Sequence, residues 1–332
     1  MQALVLEKPG SLNNLHIAEM PLLQPQAGEI RVKVHAVGLN PIDYKLATSG
    51  SSRWNYPFIL GLDVAGVVDA ISTDVTDWKV GDKVYYHGNL SKPGGYAEYT
   101  NANAMGVASI PEGISFAEAA AIPCSGLTAY HALYQRLHIE SKQTILIHGG
   151  AGGVGGFALQ LASLEGLEVI TTCSRSNFDY VQKLGAKHLI DYQNEDVLLR
   201  VKEITNGRGV DAILDTVGSE TATIGLEMLA FNGEIACIAG LPDFSKLKSF
   251  GITASIHKIA LGGAYLSGDK KAIQDLGKMA REMGVLVSEN KIHPMLTEVI
   301  SLEEIPEALT RLQDRHIRGK IVAEIMNNYQ NI

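Results

Sequence analysis

The chain has 332 residues, of which 46% are hydrophobic and 19% charged, a composition that builds packed cores and excludes a disordered chain. A net charge of −8 argues against a nucleic-acid or anionic-membrane surface. Three widely spaced cysteines, Cys124, Cys173 and Cys237, make neither a disulfide framework nor a CxxC metal knuckle, so a reducing cytoplasm is the expected location.

Length alone predicts about two domains. The N-terminus has no basic segment followed by a long apolar stretch, and no apolar run reaches bilayer length, so neither a signal peptide nor a membrane span is expected. Gln2–Leu6, Glu29–Val37, Leu62–Ile71, Asp82–Tyr86 and Tyr96–Thr100 read as strands, punctuated by Pro9-Gly10, Gly81-Asp82 and Pro93-Gly94-Gly95. This pattern predicts a compact, partly closed β-barrel. Ser115 then stands as a helix N-cap, with Glu118 completing a capping box.

From Thr144 strands and helices alternate. Thr144–His148, Glu168–Thr172, His188–Ile190, Val210–Leu214 and Gly233–Ile238 read as strands, with helices near 153–165, 177–184, 195–205 and 220–229. The alternation predicts α/β architecture with a doubly wound parallel sheet covered on both faces. Helix signals at Asp269–Met283 and Leu302–Gln313 precede a strand-like Gly319–Ile325, a tail expected to return to the N-terminal domain. The expected division is a discontinuous domain of residues 1–122 and 268–332 and a second domain of residues 123–267.

The stretch from Thr144 to Gly155 carries the most chemistry. An apolar strand runs into G-x-G-x-x-G, with Gly150, Gly152 and Gly155 in the required places, and a helix follows. One glycine makes the tight turn, one lets the backbone approach a pyrophosphate, and one packs the helix on the strand. Gly153 and Val154 lie in the first turn of that helix, where N–H groups and the positive dipole end face a phosphate. Methyltransferases use similar turns, but such a protein explains neither the barrel pattern nor the loop after the second strand.

That loop bears on which dinucleotide is bound. NAD sites place an acid at the end of the second strand to hold the ribose 2′-hydroxyl. Here Val169–Asn177 contains no acid before Asp179, and Thr172, Ser174 and Arg175 offer hydroxyls and a guanidinium for a 2′-phosphate. NADP(H) is therefore the expected cofactor. Tyr192, after the third strand, is a candidate to stack or hydrogen-bond near the same phosphate, or else an aromatic at the core edge. His148 reads as a satisfied strand-end residue.

Seven ordered motifs carry a wider resemblance. They are Gly38-Leu39-Asn40-Pro41-Ile42-Asp43, Leu60-Gly61-Leu62-Asp63-Val64-Ala65-Gly66, Val80-Gly81-Asp82-Lys83-Val84, Gly94-Gly95-Tyr96-Ala97-Glu98-Tyr99, Gly126-Leu127-Thr128-Ala129-Tyr130, the glycine turn and Gly319-Lys320-Ile321-Val322. Over nearly its whole length the chain resembles the medium-chain dehydrogenase/reductase superfamily, and within it the zinc-independent quinone oxidoreductase branch. The resemblance implies a GroES-like β-barrel catalytic domain plus a Rossmann domain. It also implies a homodimer made by joining Rossmann sheets edge to edge, near residues 255–267. Thr128 matches a threonine beside the nicotinamide, and Val217 and Gly240, at the ends of later strands, are expected to line it. In zinc-dependent relatives the position of Asn40 is a metal-binding cysteine and that of Leu62 a metal-binding histidine, with Cys124 at a third ligand position. Leucine cannot ligate, a neutral amide ligates zinc poorly, and no four-cysteine lobe is present, so no bound metal is expected.

Without a metal to polarise an alcohol, an electron-poor acceptor is the better match, namely a quinone or an α,β-unsaturated carbonyl. By resemblance to the family's Asn-x-x-Asp motif, Asn40, Asp43 and Tyr44 are the catalytic candidates. Asn40 would donate to the substrate carbonyl, Asp43 would hold a ribose hydroxyl or relay a proton, and Tyr44 would meet the developing oxyanion. Asp43 reads equally well as a cap after Pro41, and Tyr44 as a half-buried aromatic. Two other readings stand beside this one: a zinc-type alcohol dehydrogenase, and an NADPH-binding structural or regulatory protein without turnover.

Overall fold

The short strands of the N-terminal part, set between turn residues, pair antiparallel, and some, such as Gln2–Leu6 and Lys83–His87, are buried on both faces. In the computed structural model, which describes residues 1–247, 251, 253–314 and 317–325, the chain divides into two units. The first is Met1–Leu127, Gly262–Asn290 and Pro294–Ile332; the second is Thr128–Leu261 and Lys291–His293. The first division falls after Leu127 because the turn Pro123–Leu127 is tied to the first unit by the Cys124 N–H, which donates to Asp63. Gly262 returns to that unit because Tyr265 donates to the His87 carbonyl at 2.8 Å. Within the loop 242–265, positions 248–250 and 252 lie outside the described residues.

In chain order the first unit begins with β1 (Gln2–Leu6), β2 (Leu15–Glu19), β3 (Glu29–Gly38), helix α1 (Pro41–Ser49), β4 (Phe58–Ile59), β5 (Asp63–Ile71), β6 (Lys83–His87), β7 (Tyr99–Asn103), β8 (Ala108–Ser109) and α2 (Phe116–Ala121). The segment expected as one strand over Tyr96–Thr100 divides its pairing. Its first half bonds to β1, through Leu4 N–H to Tyr96 O and Glu98 N–H to Gln2 O, while β7 pairs antiparallel with β3. Helix α2 starts as its capping box predicts, with Ser115 Oγ accepting from the Glu118 N–H at 3.2 Å and Glu118 Oε2 from the Ser115 N–H at 2.9 Å.

The second unit opens with α3 (Thr128–Tyr130) and continues with β9 (Thr144–His148), α4 (Gly153–Leu164), β10 (Glu168–Cys173), α5 (Phe178–Lys183), β11 (His188–Asp191), α6 (Val197–Ile204), β12 (Val210–Asp215), α7 (Ser219–Gly225), β13 (Leu229–Cys237) and β14 (Ser255–Lys258). The strands form one six-stranded sheet in the order β11-β10-β9-β12-β13-β14, and every pairing is parallel. This is the doubly wound order whose sense reverses beside β9, so the loop after β9 lies at the switch point where such sheets bind ligands. The core joins Leu146, Ile170, Ile190, Ile213 and Ile235, one from each of five adjacent strands.

The chain then re-enters the first unit with α8 (Gly263–Leu266), α9 (Lys270–Ser288), β15 (Leu296–Ser301), α10 (Ile305–Gln313) and β16 (Lys320–Glu324). Helix α9 buries Ile273, Leu276, Gly277, Ala280, Met283, Gly284 and Val287, a stripe at helical spacing that continues past the expected end at Met283. Its glycines permit close approach: a Cβ on Gly277 would lie 2.7 Å from the Met105 carbonyl. Strand β16 pairs antiparallel with β3, Val322 opposite Gly38, and so closes a sheet ordered β15-β16-β3-β5-β6-β8.

Candidate functional site

The first unit gathers buried polar side chains that lie far apart in sequence. Asn40 is the extended N-cap of α1, Pro41 sits in its first turn, and Asp43 occupies the third helical position. Asp43 Oδ2 accepts the Asn40 backbone N–H at 2.8 Å, half of a capping box. The Asn40 side chain is committed elsewhere. Its Nδ2 donates to Asp63 Oδ2 at 2.8 Å, and its Oδ1 accepts from Lys320 Nζ. Lys320 is 3% exposed, and its ammonium also donates to the Leu39 carbonyl at 2.9 Å and reaches Asp63 Oδ2 at 3.4 Å. Asp63, fully buried, accepts the Cys124 N–H on Oδ1 at 2.8 Å. His87 faces Asp63 across the β5–β6 pair; its ring is buried and its Nδ1 has no partner among the described residues.

The ammonium meets Asp63, while the second buried carboxyl, Asp43, accepts the Asn40 N–H instead. Burial pushes the Asp43 carboxyl up to about 7; the Asp63 charge adds to this, while the Asn40 N–H and the Tyr96 hydroxyl oppose it. Among the described residues Asp43 Oδ1 has no bond of ordinary geometry, nor has the Tyr96 hydroxyl beside it. Burial likewise holds the Cys124 thiol above its ordinary range and the His87 imidazole below it. Of the three catalytic candidates, Asn40 and Asp43 are therefore sealed and engaged with the protein itself. Tyr44, on α1, is half-buried against the first core.

The second unit holds the residues expected at the cofactor. The turn after β9 passes through Gly149 at φ +74°, a conformation open to glycine. A Cβ on Gly155 would lie 2.2 Å from the Gly149 carbonyl, and one on Gly150 2.2 Å from Thr171 Oγ1, so neither position tolerates a side chain. Gly152 differs. A Cβ there meets only the Gly149 carbonyl, at 3.5 Å, so its bare backbone faces open space. Gly152 is the N-cap of α4 and no side chain among the described residues caps that helix, leaving the first-turn N–H groups of Gly153, Val154 and Gly155 without a side-chain acceptor there. A cradle of this kind fits a pyrophosphate.

Threonines hold the turn in place. Thr172 Oγ1 accepts the Gly149 N–H at 3.2 Å and contacts His148 Nδ1 at 3.2 Å, while the Thr172 carbonyl accepts from both Gly149 and Gly150. Thr172 is 3% exposed, so its hydroxyl serves the turn rather than the rim assigned to it from sequence. From the other side, Thr216 Oγ1 donates to the His148 carbonyl at 2.7 Å. His148 is buried, and burial pulls its imidazole down to about 4, which keeps it neutral. Asp215 Oδ1 accepts the Val217 and Gly218 N–H groups at 3.0 and 2.9 Å, a turn that leaves Val217 exposed. Gly240 is required by close approach, since a Cβ would sit 2.3 Å from Ser219 Oγ. Thr128 is buried at the start of α3.

Beyond β10, Ser174 Oγ bonds with Ser176 Oγ and accepts from Asn177 Nδ2, and the Arg175 guanidinium lies 4.7 Å over the Phe178 ring. Tyr192 follows the end of β11, whose Asp191 is in register with Cys173 of β10, and its ring is exposed. Asp63, His87, Lys320 and Thr171 are members that sequence reading had not assigned to either centre.

The fold and these two centres define an NAD(P)H oxidoreductase built on a GroES-like and a Rossmann-type unit. Residues 26–127 match the alcohol dehydrogenase GroES-like domain and residues 184–322 the zinc-binding dehydrogenase domain. The chain belongs to the medium-chain dehydrogenase/reductase superfamily, in its quinone oxidoreductase-like branch. It is 30% identical to the mitochondrial NAD(P)H oxidoreductase RTN4IP1 of Danio rerio, over 99% of this chain and 92% of that protein. It is 31% identical to the chloroplastic quinone oxidoreductase QR1 of Triphysaria versicolor, over 95% of each. The quinone oxidoreductase structure from Coxiella burnetii matches with a TM-score of 0.82 at 30% identity, covering 98% of this chain and 99% of that one. Among the described residues no helix is long and apolar enough to cross a membrane.

The zinc-binding description raises the question of a metal. Among the described residues Asp63, His87 and Cys124 bring possible ligand atoms within 4.8 Å of one another. They do not fit a metal as they stand. The Lys320 ammonium lies against the Asp63 carboxylate, and its fixed positive charge in a dry interior opposes a metal ion there.

Proposed function

We propose that this protein reduces a quinone or an α,β-unsaturated carbonyl with NADPH and without a metal. The observation that carries the reading is the glycine turn at the sheet's switch point, open at Gly152 and uncapped at α4. When bound, the nicotinamide supplies the hydride. Gly153, Val154 and Gly155 hold the pyrophosphate with backbone N–H groups, Gly152, whose own N–H donates to the Gly149 carbonyl, leaves the open approach to them, and Gly150 keeps the turn against Thr171. Ser174 and Arg175 hold the 2′-phosphate, with Tyr192 beside them; the absence of a carboxylate at the end of β10 supports NADPH over NADH. Thr128, Val217 and Gly240 border the nicotinamide. Thr172 positions the turn. In the first unit Tyr44 hydrogen-bonds the developing oxyanion, while Asn40 and Asp43 act as positioning residues that fix the start of α1. A homodimer through β14, one of the two edges of the six-stranded sheet, completes the reading.

The test is nicotinamide absorbance decay with chelator-treated protein, supplying NADPH or NADH with quinones and short enones. Fast NADPH oxidation that ignores the chelator is expected. Turnover that appears only when zinc is restored overturns the metal-free reading, and NADPH binding without turnover on every acceptor overturns the enzyme.

A further inference from the structure

A metal ion is the cation that the zinc-binding description implies for this superfamily, yet the buried centre of the first unit already contains a cation of its own. We infer that the Lys320 ammonium is the built-in cation of this centre, and that removing it turns Asp63, His87 and Cys124 into a site for a divalent transition metal.

The ammonium has three N–H donors and no acceptor, and three oxygens meet it: the Leu39 carbonyl, Asn40 Oδ1 and Asp63 Oδ2. Its placement is built by the fold. Lys320 is the first residue of β16, its backbone N–H donates to the Met295 carbonyl at 2.8 Å, and the pairing of β16 with β3 brings the side chain to the N-cap of α1. Asn40 supports both ions of the pair, accepting from Lys320 and donating to Asp63. A divalent ion on Asp63 would share one carboxylate with a fixed ammonium in a dry interior, where like charges repel strongly.

Without the ammonium the centre changes character. Asp63 keeps two N–H donors but loses its countercharge, and His87 already offers a buried nitrogen without a partner. Carboxylate, imidazole and thiolate are a zinc-type donor set, a water taking the fourth place. The Cys124 thiol gives its proton to solvent as the metal binds. Two of these three ligands, Asp63 and His87, stand at positions other than Asn40 and Leu62, so the latent site is a new one that shares only Cys124 with the set the resemblance describes. The inference deepens the metal-free reading above, but it is measured by metal uptake rather than turnover, so the two fail separately.

The experiment titrates Co²⁺ into chelator-treated parent, Lys320→Met, Lys320→Arg and Lys320→Met/Cys124→Ser. Lys320→Met is expected to take up Co²⁺ stoichiometrically, with thiolate charge-transfer absorption in the near ultraviolet and tetrahedral bands in the visible. The parent and Lys320→Arg are expected to bind at least about 100-fold more weakly, since each keeps a fixed cation. The double variant is expected to lose the charge-transfer band. If Lys320→Met folds poorly, Zn²⁺ is expected to raise its melting temperature and leave that of the parent unchanged. Thiolate-bound Co²⁺ in the parent overturns the inference. So does a folded Lys320→Met that takes up none, or an unfolded one that Zn²⁺ does not rescue.

Discussion

The two polar centres of the molecule solve opposite problems. In the first unit, charge is buried and then consumed internally: Asp63, Lys320 and Asn40 saturate one another, and Asp43 caps its own helix. In the second, the turn after β9 is lined by Thr171, Thr172, Thr216 and a neutral His148, with no ionised side chain among the described residues bonded to it. Hydroxyls there hold the backbone from behind, and the donors of the α4 start face outward. A centre that satisfies itself shapes the protein; a centre that leaves donors unspent can hold a ligand. This difference supports the positioning role proposed for Asn40 and the binding role proposed for Gly152, although both were equally prominent as motif residues.

The sharpest break of this contrast is Lys320→Ala. Removing one partner of a buried ion pair leaves an uncompensated charge, and a loss of about 3–5 kcal/mol is expected by urea denaturation. A loss below about 1 kcal/mol, the range of exposed pairs, would mean the centre is not internally saturated.

Acidity separates the centres next, with opposite signs. Asp43 rises from an ordinary 3.8 to about 7 in the folded protein, so its favourable contribution is complete below 3.8 and is lost as pH climbs toward 7. His148 falls from 6.5 to about 4, so its contribution is complete above 6.5 and is lost as pH drops toward 4. At 1.36 kcal/mol per pKa unit these slopes are worth at most about 4 and about 3 kcal/mol. Stability of Asp43→Asn, followed from pH 4 to 7 against the parent, is expected to lose its decline with rising pH. His148→Gln is expected to lose the decline with falling pH. Unchanged slopes in either variant would place the proton elsewhere.

Much of the second centre is written locally, and that is why it was legible. The run from Thr144 to Gly155 names strand, turn and helix within twelve consecutive positions, and the doubly wound order follows from the alternation of strands and helices. The first centre is assembled from residues 40, 63, 87, 124 and 320, and its decisive bond, Lys320 to Asn40, spans 280 positions. No periodicity reports such a pairing. The start of α1 was present in the sequence as Pro41 at the first turn and Asp43 at the third position, but a nine-residue helix that buries only Asp43 and Ala47 has almost no apolar stripe to announce it. Strand β15 was missed for a related reason: only Ile300 of its six residues is buried, so its pairing with β16 rather than its own pattern makes it a strand.

Within the second centre, Gly155 and Gly152 separate folding from binding. Gly155→Ala forces a Cβ within 2.2 Å of the Gly149 carbonyl and is expected to distort the turn and lower stability. Gly152→Ala has room for its methyl, at 3.5 Å from the nearest atom, so its melting temperature is expected to match the parent. The methyl would project where backbone N–H groups face a phosphate, and NADPH and NADH should both bind about 10- to 100-fold more weakly by fluorescence titration, a cost of about 1–3 kcal/mol. Normal binding by Gly152→Ala would remove the turn from the cofactor site.

The smallest effects distinguish the back of the turn from its rim. Arg175→Ala is expected to raise the NADPH KM about 10-fold, the worth of one charge-assisted contact, and to leave NADH unchanged, because only NADPH carries the 2′-phosphate. Thr172→Val acts differently. It keeps the shape of a buried side chain but removes the acceptor of the Gly149 N–H and the partner of His148 Nδ1. The Thr172 carbonyl still holds Gly149 and Gly150, so the turn survives at a cost of about 1 kcal/mol. A turn loosened from behind weakens the pyrophosphate contacts common to both dinucleotides, so NADPH and NADH should lose affinity by the same factor. Loss confined to NADPH would instead return Thr172 to the rim, beside Ser174 and Arg175.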